Sequence, residues 1–453
     1  MVDSDQHTDS LVNRRRFVKA AGVTGVAGLL AGCSGGDSTT TNGGGNGNGG
    51  NGNGGTTTGN QTSKTFTLEY IDVDGDRTKE MFMPVIEELN SKYDAEISLN
   101  FREVPYGNYK KQLLTRVGGG NAPDVAAIDQ IWLGSFYNSG KLMTFNDIQE
   151  QINFDDYFAG FKEAVVQEEN IVGFPITTDV RGMYWNKDQF ESAGLDPNTG
   201  PETWSEFYDV AAQLHDPPNR YGTGIIVAAG IYSVPLFSAG GQFLKSGGSE
   251  PAFTSDAGVK GAEFIDKIYN EEKIGPSSPI TGGGNYPQEF LNGTYSIAPV
   301  YGSWMDFFAR QKGMSNEEIK QKYGFSISPH PSSGSPATMM GGFAWSAFNT
   351  TDRPDIVKDF MGRISGQEFN RKIARETGRI PTRKALLDAS EVWSNILWSD
   401  TIKEMLEYGG TRPVNNWSAV DEILTTSLQE VAYDRAEPRE ALQSAADELA
   451  GEL

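Results

Sequence analysis

The chain has 453 residues, enough for two domains or one large two-lobed one. Its 60 Asp and Glu against 38 Lys and Arg give a net charge of −22, and a surface this negative repels phosphate backbones and anionic headgroups, which speaks against a nucleic-acid partner. A single cysteine, Cys33, excludes an intrachain disulfide and a Cys-based metal site, and three scattered histidines (His7, His215, His330) make a multi-histidine metal site an unlikely design. The acids run evenly along the chain, as a solvated face does. The same pattern fits a salt-adapted microbe, where salt screens the repulsion between them.

The N-terminus reads as an address. Asn13-Arg14-Arg15-Arg16-Phe17-Val18-Lys19 leads into the apolar run Ala20 to Ala31. That run is too short to cross a bilayer, which takes about 20 residues, and fits the apolar region of a secretory signal. Paired arginines followed by Phe resemble a twin-arginine signal. Leu30-Ala31-Gly32-Cys33 resembles a lipobox; a chance thiol is the plain alternative. Residues 1–32 are therefore expected to be a lipoprotein signal and Cys33 the lipidated anchor, holding the chain on the outer face of the cytoplasmic membrane. Residues 33–64, rich in Gly, Asn and Thr, are expected to be a flexible tether. The sequon Asn60-Gln61-Thr62 lies within it.

Order is expected from about Thr65. Phe66 to Ile71 alternates as a strand, and Thr78 to Tyr93 has helical spacing with Phe82, Val85, Ile86 and Leu89 on one face. Ala95 to Val104 reads as a strand, Tyr109 to Val117 as a helix closed by Gly118-Gly119-Gly120, Asp124 to Ile128 as a strand, and Trp132 to Ser139 as a short helix. Strands follow at Ile171 to Pro175, Met183 to Trp185 and Ile225 to Ala228, with helices at Thr203 to Leu214 and Ser255 to Glu271; from Asp355 the chain is mainly helical. Strands alternating with helices point to an α/β fold with parallel pairing.

Catalytic and cofactor motifs are missing from the pattern. Gly-x-Ser-x-Gly occurs only at Gly32 to Gly36, inside the leader and tether. There is no Walker-type loop, no Gly-x-Gly-x-x-Gly opening a helix and no His-Glu-x-x-His, so no cofactor is expected. Asp72-Val73-Asp74-Gly75-Asp76 has the start of a calcium loop, but Arg77 and Met83 stand where Gly and Glu belong. A strand-to-helix turn is the simpler reading, and Asp74 could still reach a solute at a strand's carboxyl end.

Four ordered segments resemble the extracellular solute-binding proteins of ABC sugar importers. They are Gly120-Asn121-Ala122-Pro123-Asp124-Val125 with Asp129, Trp132 and Gly140-Lys141-Leu142; Gly173-Phe174-Pro175 through Tyr184-Trp185-Asn186-Lys187-Asp188 to Thr203-Trp204-Ser205-Glu206, with the proline displaced to Pro201; Phe290 to Trp304; and Gly341-Gly342 through Thr377-Gly378 to Ile380-Pro381-Thr382-Arg383. Each is weak alone and the ordered set is specific. The resemblance spans about 65–445 and implies a two-lobed α/β, periplasmic-binding-protein-like fold of type II. Each lobe would be a central sheet flanked by helices, with the ligand cleft at the hinge. By position the first lobe would hold 65–178 plus 303–350, and the second 180–300 plus 355–453.

A sugar offers hydroxyls to carboxylates and amides, and C–H faces to aromatic rings. The resemblance with this chemistry nominates Asp129 and Gln130 at a strand end, Asp179 and Arg181 at the first crossing between lobes, Tyr301 and Trp304 at the next, Gly341 and Gly342 for backbone approach, and Trp417 with Tyr232 as aromatic platforms. Helix capping by Asp129, an ion pair at Asp179, a plain turn at the glycines and core packing of the aromatics are the structural alternatives. The function implied is non-enzymatic capture of a mono- or oligosaccharide by a monomeric lipoprotein, followed by delivery to the importer's membrane subunits. A carbohydrate-active enzyme using paired carboxylates is the rival, and a polyol or glycerol phosphate the alternative solute.

Overall fold

The computed structural model describes residues 63–71, 75–104, 106–245, 248, 250–412 and 416–452. The expected signal, Cys33, most of the expected tether and Asp74 lie outside these residues. Among the described residues no helix is long and apolar enough to cross a membrane.

Among the described residues twelve strands carry the architecture: β1 (Ser63–Ile71), β2 (Glu96–Val104), β3 (Val125–Asp129), β4 (Val166–Gln167), β5 (Asn170–Ile171), β6 (Phe174–Asp179), β7 (Arg181–Asn186), β8 (Tyr221–Thr223), β9 (Tyr295–Gly302), β10 (Tyr323–Ser326), β11 (Thr338–Ala347) and β12 (Gly409–Thr411). The first sheet runs β12-β11-β3-β1-β2, with β6 also paired to β11; the second runs β10-β7-β9-β8; β4 and β5 form a small hairpin. In the first sheet β1 is parallel to both β2 and β3, as the alternating pattern predicts, but β11 is antiparallel to β3 and β6. The sheet is therefore mixed. The cause is that β11 enters from a distant part of the chain and not through a right-handed β–helix–β crossover, the connection that keeps neighbours parallel.

Local chemistry sets the elements. In β1, Phe66, Leu68 and Tyr70 are buried on one face, and Phe66 packs 4.6 Å from Phe360 between ring centroids. The helix Trp204–Leu214 starts at a capping box, Thr203 with Glu206, which satisfies the first free N–H groups. The expected helix from Ser255 is found as Asp256–Asp266, capped by the Ser255 side chain and continued as a wider turn to Glu271. Ile225 to Ala228, expected as a strand, forms only one isolated bridge, Ile226 with Ile280. The neighbouring strand is β8, which pairs in parallel with β9.

Among the described residues the two sheets define two lobes, and the chain crosses between them repeatedly, with β12 pairing back on β11 of the first sheet after the crossing at 383–398. It passes from β6 to β7 through the buried Val180, returns from β10 to β11, and crosses again between Arg383 and Trp398. Two segments depart from the expected partition. Residues 305–326 do not join the first lobe, because β10 pairs with β7 of the second sheet from Tyr323↔Asn186 to Ser326↔Met183. The helices Pro354–Ile364 and Gln367–Thr377 do not join the second. Phe360 packs on Phe66, and Asn370 donates to the Ile176 carbonyl at 2.6 Å. Hydrophobic patterning identified these helices but does not say which sheet receives their apolar faces.

Two buried charge networks stiffen the first lobe. Glu69, fully buried, receives Arg116 and also Arg102, the latter at 2.9 Å. Arg383, equally buried, donates to the carbonyls of Ile152 (2.8 Å), Asn153 (3.1 Å) and Ser365, and lies 4.0 Å over the Tyr157 ring. Removing Arg383 leaves Asp156, its acidic partner at 3.3 Å, and three carbonyls without compensation, a loss of about 3–5 kcal/mol. Arg383→Met is therefore expected to lower the urea midpoint of the folded chain sharply, whereas Arg435→Met, whose ion pair with Glu430 is exposed, should shift it by about 1 kcal/mol or less. Equal shifts for the two would refute the assignment.

Candidate functional site

The residues that line one cleft come from both lobes. Its cavity measures about 640 Å³, within the range of about 300–1,000 Å³ usual for small-molecule sites. The first sheet contributes Asp129 from the end of β3, Thr177, Thr178 and Asp179 from the end of β6, and Gly342 and Phe343 from β11. The second contributes Arg181 at the start of β7, then Ser303, Trp304 and Asp306 just after β9. Glu376 to Ile380, Ile396, Leu397 and Arg412 complete the wall. Strand carboxyl ends thus deliver both aspartates to the cleft, as open α/β sheets do for their ligands.

Asp129 does two jobs. Its side chain accepts from the Ile131 N–H at 3.2 Å, capping the short turn that follows, and it also faces the cavity. Asp179 also lines the cavity, and its Oδ1 is buried without a hydrogen-bond partner among the described residues. Arg181 stacks on Trp304, with its guanidinium carbon 4.2 Å from the ring. Trp304 owes its position to Gly302: a Cβ there would meet the indole ring at 2.1–2.3 Å. Asp306 is buried beside Arg310 at 2.7 Å, and burial pushes its carboxyl up against the pull of that guanidinium.

Gly342 brings backbone to the cavity wall, whereas Gly341, also nominated, lies beside Asp179 and does not line it. A Cβ on Gly342, whose φ is 150°, would lie 2.2 Å from the Thr177 carbonyl oxygen. On Gly341 it would lie 2.9 and 3.0 Å from the Asp179 carboxylate oxygens. Both positions therefore need glycine for close strand approach and not for a turn.

Four further nominated residues are placed elsewhere. Gln130 is buried beneath the wall, where Nε2 donates to the Met340 carbonyl at 3.1 Å and ties β3 to β11. Tyr301 is buried behind Trp304, 5.7 Å from it and 5.1 Å from Tyr286 between centroids. Tyr232 is fully buried in the second lobe, donating to the Gly258 carbonyl at 2.8 Å. Trp417 packs edge-on against Phe243 at 5.1 Å, with Arg412 over its ring. For the three aromatic residues burial of a large apolar surface outweighs exposure to the cleft, and Gln130 is held by its amide hydrogen bond. Thr177, Thr178, Ser303, Glu376 and Arg379 line the cavity without having been nominated. The quoted Thr377-Gly378 signal, a left-handed turn with φ 67° at Gly378, was the available pointer to the last two.

Charged groups also join the lobes beside the cleft. Lys110 of the helix Tyr106–Gly118 donates to Ser418 Oγ of the helix Trp417–Ala432 at 2.8 Å. Burial lowers the Lys110 pKa against the attraction of Asp129 and Asp421, and burial raises that of Asp421 against Arg412 and Lys110.

Similarity to known proteins agrees with this geometry. The galactooligosaccharide-binding protein of Bacillus subtilis (strain 168) is 21% identical over 374 residues, which is 79% of this chain and 83% of that one. The sn-glycerol-3-phosphate-binding periplasmic protein of Escherichia coli (strain K12) is 22% identical over 404 residues, 80% of this chain and 87% of that one. An ABC transporter solute-binding protein from Thermotoga lettingae, solved with α-D-tagatose bound, has a TM-score of 0.71 at 24% identity, covering 86% of this chain and 99% of that one. Residues 74–363 match bacterial extracellular solute-binding proteins, a stretch that includes the strand ends bearing Asp129, Asp179, Trp304 and Gly342, and the chain belongs to that family.

Proposed function

We propose that this solute-binding protein captures a sugar between its lobes and delivers it to the membrane subunits of an ABC importer. The observation that carries this reading is the cavity of about 640 Å³ in which Asp129 and Asp179 of one lobe face Arg181 and Trp304 of the other. Carboxylates accept from sugar hydroxyls, the guanidinium donates to them, and an indole face packs on sugar C–H groups. A ligand touching both lobes favours the closed arrangement by its extra contacts there, and the closed form is the one that docks on the importer. No bond is made or broken in that cycle.

The relatives support a sugar, since one is named for galactooligosaccharides and another was solved with tagatose. The glycerol-phosphate relative keeps a smaller polyol derivative as the second class of solute. In this reading Cys33 carries the lipid, residues 33–64 form the tether, and the monomer stays on the outer face of the cytoplasmic membrane. The excess of acids over bases extends it to a salty medium.

Four outcomes are expected. In a thermal-shift screen of neutral sugars, polyols and sugar phosphates, at least one solute raises Tm, because it binds the folded state alone. With that solute the radius of gyration from solution scattering falls; an unchanged radius at saturation argues against lobe closure. Trp304→Ala weakens that binding by about tenfold, or ~1.4 kcal/mol, with Tm of the unliganded protein little changed, and equal affinity would remove Trp304 from the site. Cys33→Ser shifts the protein from the membrane fraction to the medium; retention on the membrane would exclude the lipid anchor.

A further inference from the structure

The pattern Asn-x-Ser/Thr, with any residue but proline in the middle, occurs three times within the described residues: Asn292-Gly293-Thr294, Asn349-Thr350-Thr351 and Asn416-Trp417-Ser418. In a chain carried outside the cell it marks an asparagine that can accept a glycan, provided that its amide nitrogen and the hydroxyl two residues on can both be reached. All three asparagines are exposed, so exposure alone does not separate them. Their hydrogen bonds do.

Asn349 spends its amide on the fold, since Nδ2 donates to the Gly140 carbonyl at 2.9 Å. The hydroxyl that goes with it is used twice: Thr351 Oγ1 donates to Asp124 at 2.9 Å and accepts from Lys64 Nζ at 3.2 Å. In the third pattern the middle residue, Trp417, is buried against Phe243. Ser418 Oγ there accepts from Lys110 of the other lobe at 2.8 Å.

Asn292 differs in each respect. It ends the helix Tyr286–Leu291, and Gly293, at a φ of 86°, turns the chain into β9. Asn292 Oδ1 accepts from Lys312 Nζ at 2.5 Å, which fixes the amide and leaves Nδ2 without a partner among the described residues. The Thr294 hydroxyl makes no hydrogen bond among the described residues either. Backbone alone holds the turn, the N–H groups of Gly293 and Thr294 donating to the carbonyls of Phe290 and Glu289 at 2.9 and 3.0 Å. The eight residues of β9 span about 26 Å between this turn and the cleft wall at Ser303 and Trp304. Asn292 therefore stands at the outer end of the second lobe, clear of the cleft.

We propose that Asn292 is an N-glycosylation site chosen by the folded surface, and that Asn349 and Asn416 are passed over. In the twin-arginine reading of the leader, export follows folding, so an acceptor has to be open in the native structure. The donor is an oligosaccharide carried on a membrane lipid phosphate. Asn292 Nδ2 bonds to C1 of its first sugar as the bond from C1 to the phosphate oxygen breaks. The lipid phosphate leaves with that bond's electron pair, and the amide gives one proton to a base of the membrane transferase. Thr294 Oγ1 is the hydroxyl by which the transferase holds the acceptor. The inference uses the extracellular placement of the family and is independent of the solute that the cleft binds.

The test is peptide mass spectrometry of the full chain purified from the cells that produce it. The peptide carrying Asn292 is expected to bear a glycan, and those carrying Asn349 and Asn416 to be bare. Thr294→Ala is expected to abolish the modification with the Tm of the chain little changed, whereas Thr294→Ser keeps it. A bare Asn292, deamidated or intact, overturns the inference, whether or not Asn60 of the N-terminal sequon is modified in the same sample. A glycan on Asn349 or Asn416 overturns selection by the folded surface. A glycan retained on Asn292 in Thr294→Ala overturns the assigned role of the hydroxyl.

Discussion

At Gly341 and Gly342 the strand Thr338–Ala347 gives up its side chains where three other strands converge on it. It pairs with β12 near its start, and with β3 and β6 further along. A methyl group on Gly342 would strike the Thr177 carbonyl, and one on Gly341 would reach the Asp179 carboxylate and Arg412. Close packing of backbone at these two positions sets the distance between β6 and β11, and that distance decides where Asp179 points. The neighbouring Trp304 depends on a third glycine in the same way, because its indole lies on Gly302. Sugar recognition needs polar groups fixed to within a fraction of an ångström, and here the fixing is done by missing side chains in strands and not by loops.

Rigidity of this kind is useful only if motion is confined elsewhere. Within the first lobe Glu69 and Arg383 are fully buried and bonded by several partners each, so the lobe resists distortion as a unit. Between the lobes, the crossings are held by a few local hydrogen bonds. Ser303 N–H donates to the Val180 carbonyl at 2.9 Å, and Thr338 Oγ1 accepts from the Arg181 N–H and donates to the Arg181 carbonyl, both at 2.8 Å. These bonds lie along the crossing strands, so small changes of backbone angle there rotate one lobe against the other without breaking either core. Arg181 belongs to the crossing and to the binding wall at once. A ligand that engages Arg181 is thereby coupled to the hinge without any further relay.

Much of the fold was readable from spacing. Alternation in Phe66 to Ile71 and the helical face of Phe82, Ile86 and Leu89 emerged as expected, because both patterns reflect one buried face per element. Antiparallel entry of β11 and the second-lobe place of β10 did not, since long-range pairing leaves no local trace in composition. The site divided along the same line. Asp129, Asp179, Arg181 and Trp304 sit at strand ends or crossings, where backbone direction fixes the side chain, and the structure brings all four to one cavity. Tyr301 at the second crossing, and Trp417 and Tyr232 as platforms, are aromatic nominees whose large rings are as easily claimed by a core as by a cleft. Arg412 follows a three-residue strand whose pairing with β11 is visible only in three dimensions.

The contrast between the charge of the chain and that of the cleft bears on how selectivity arises. At low ionic strength a net charge of −22 repels anionic solutes over distances of tens of ångströms. At molar salt the screening length falls to about 3 Å, and the surface no longer sorts solutes by charge. Discrimination then has to come from groups within hydrogen-bond reach of the ligand. Buried groups are screened less, so the acids and the arginines of the cavity wall keep acting on whatever enters it. Desolvating both is costly unless each finds its partner. A hydroxyl pair supplies both partners at once, whereas a lone anion satisfies one and opposes the other.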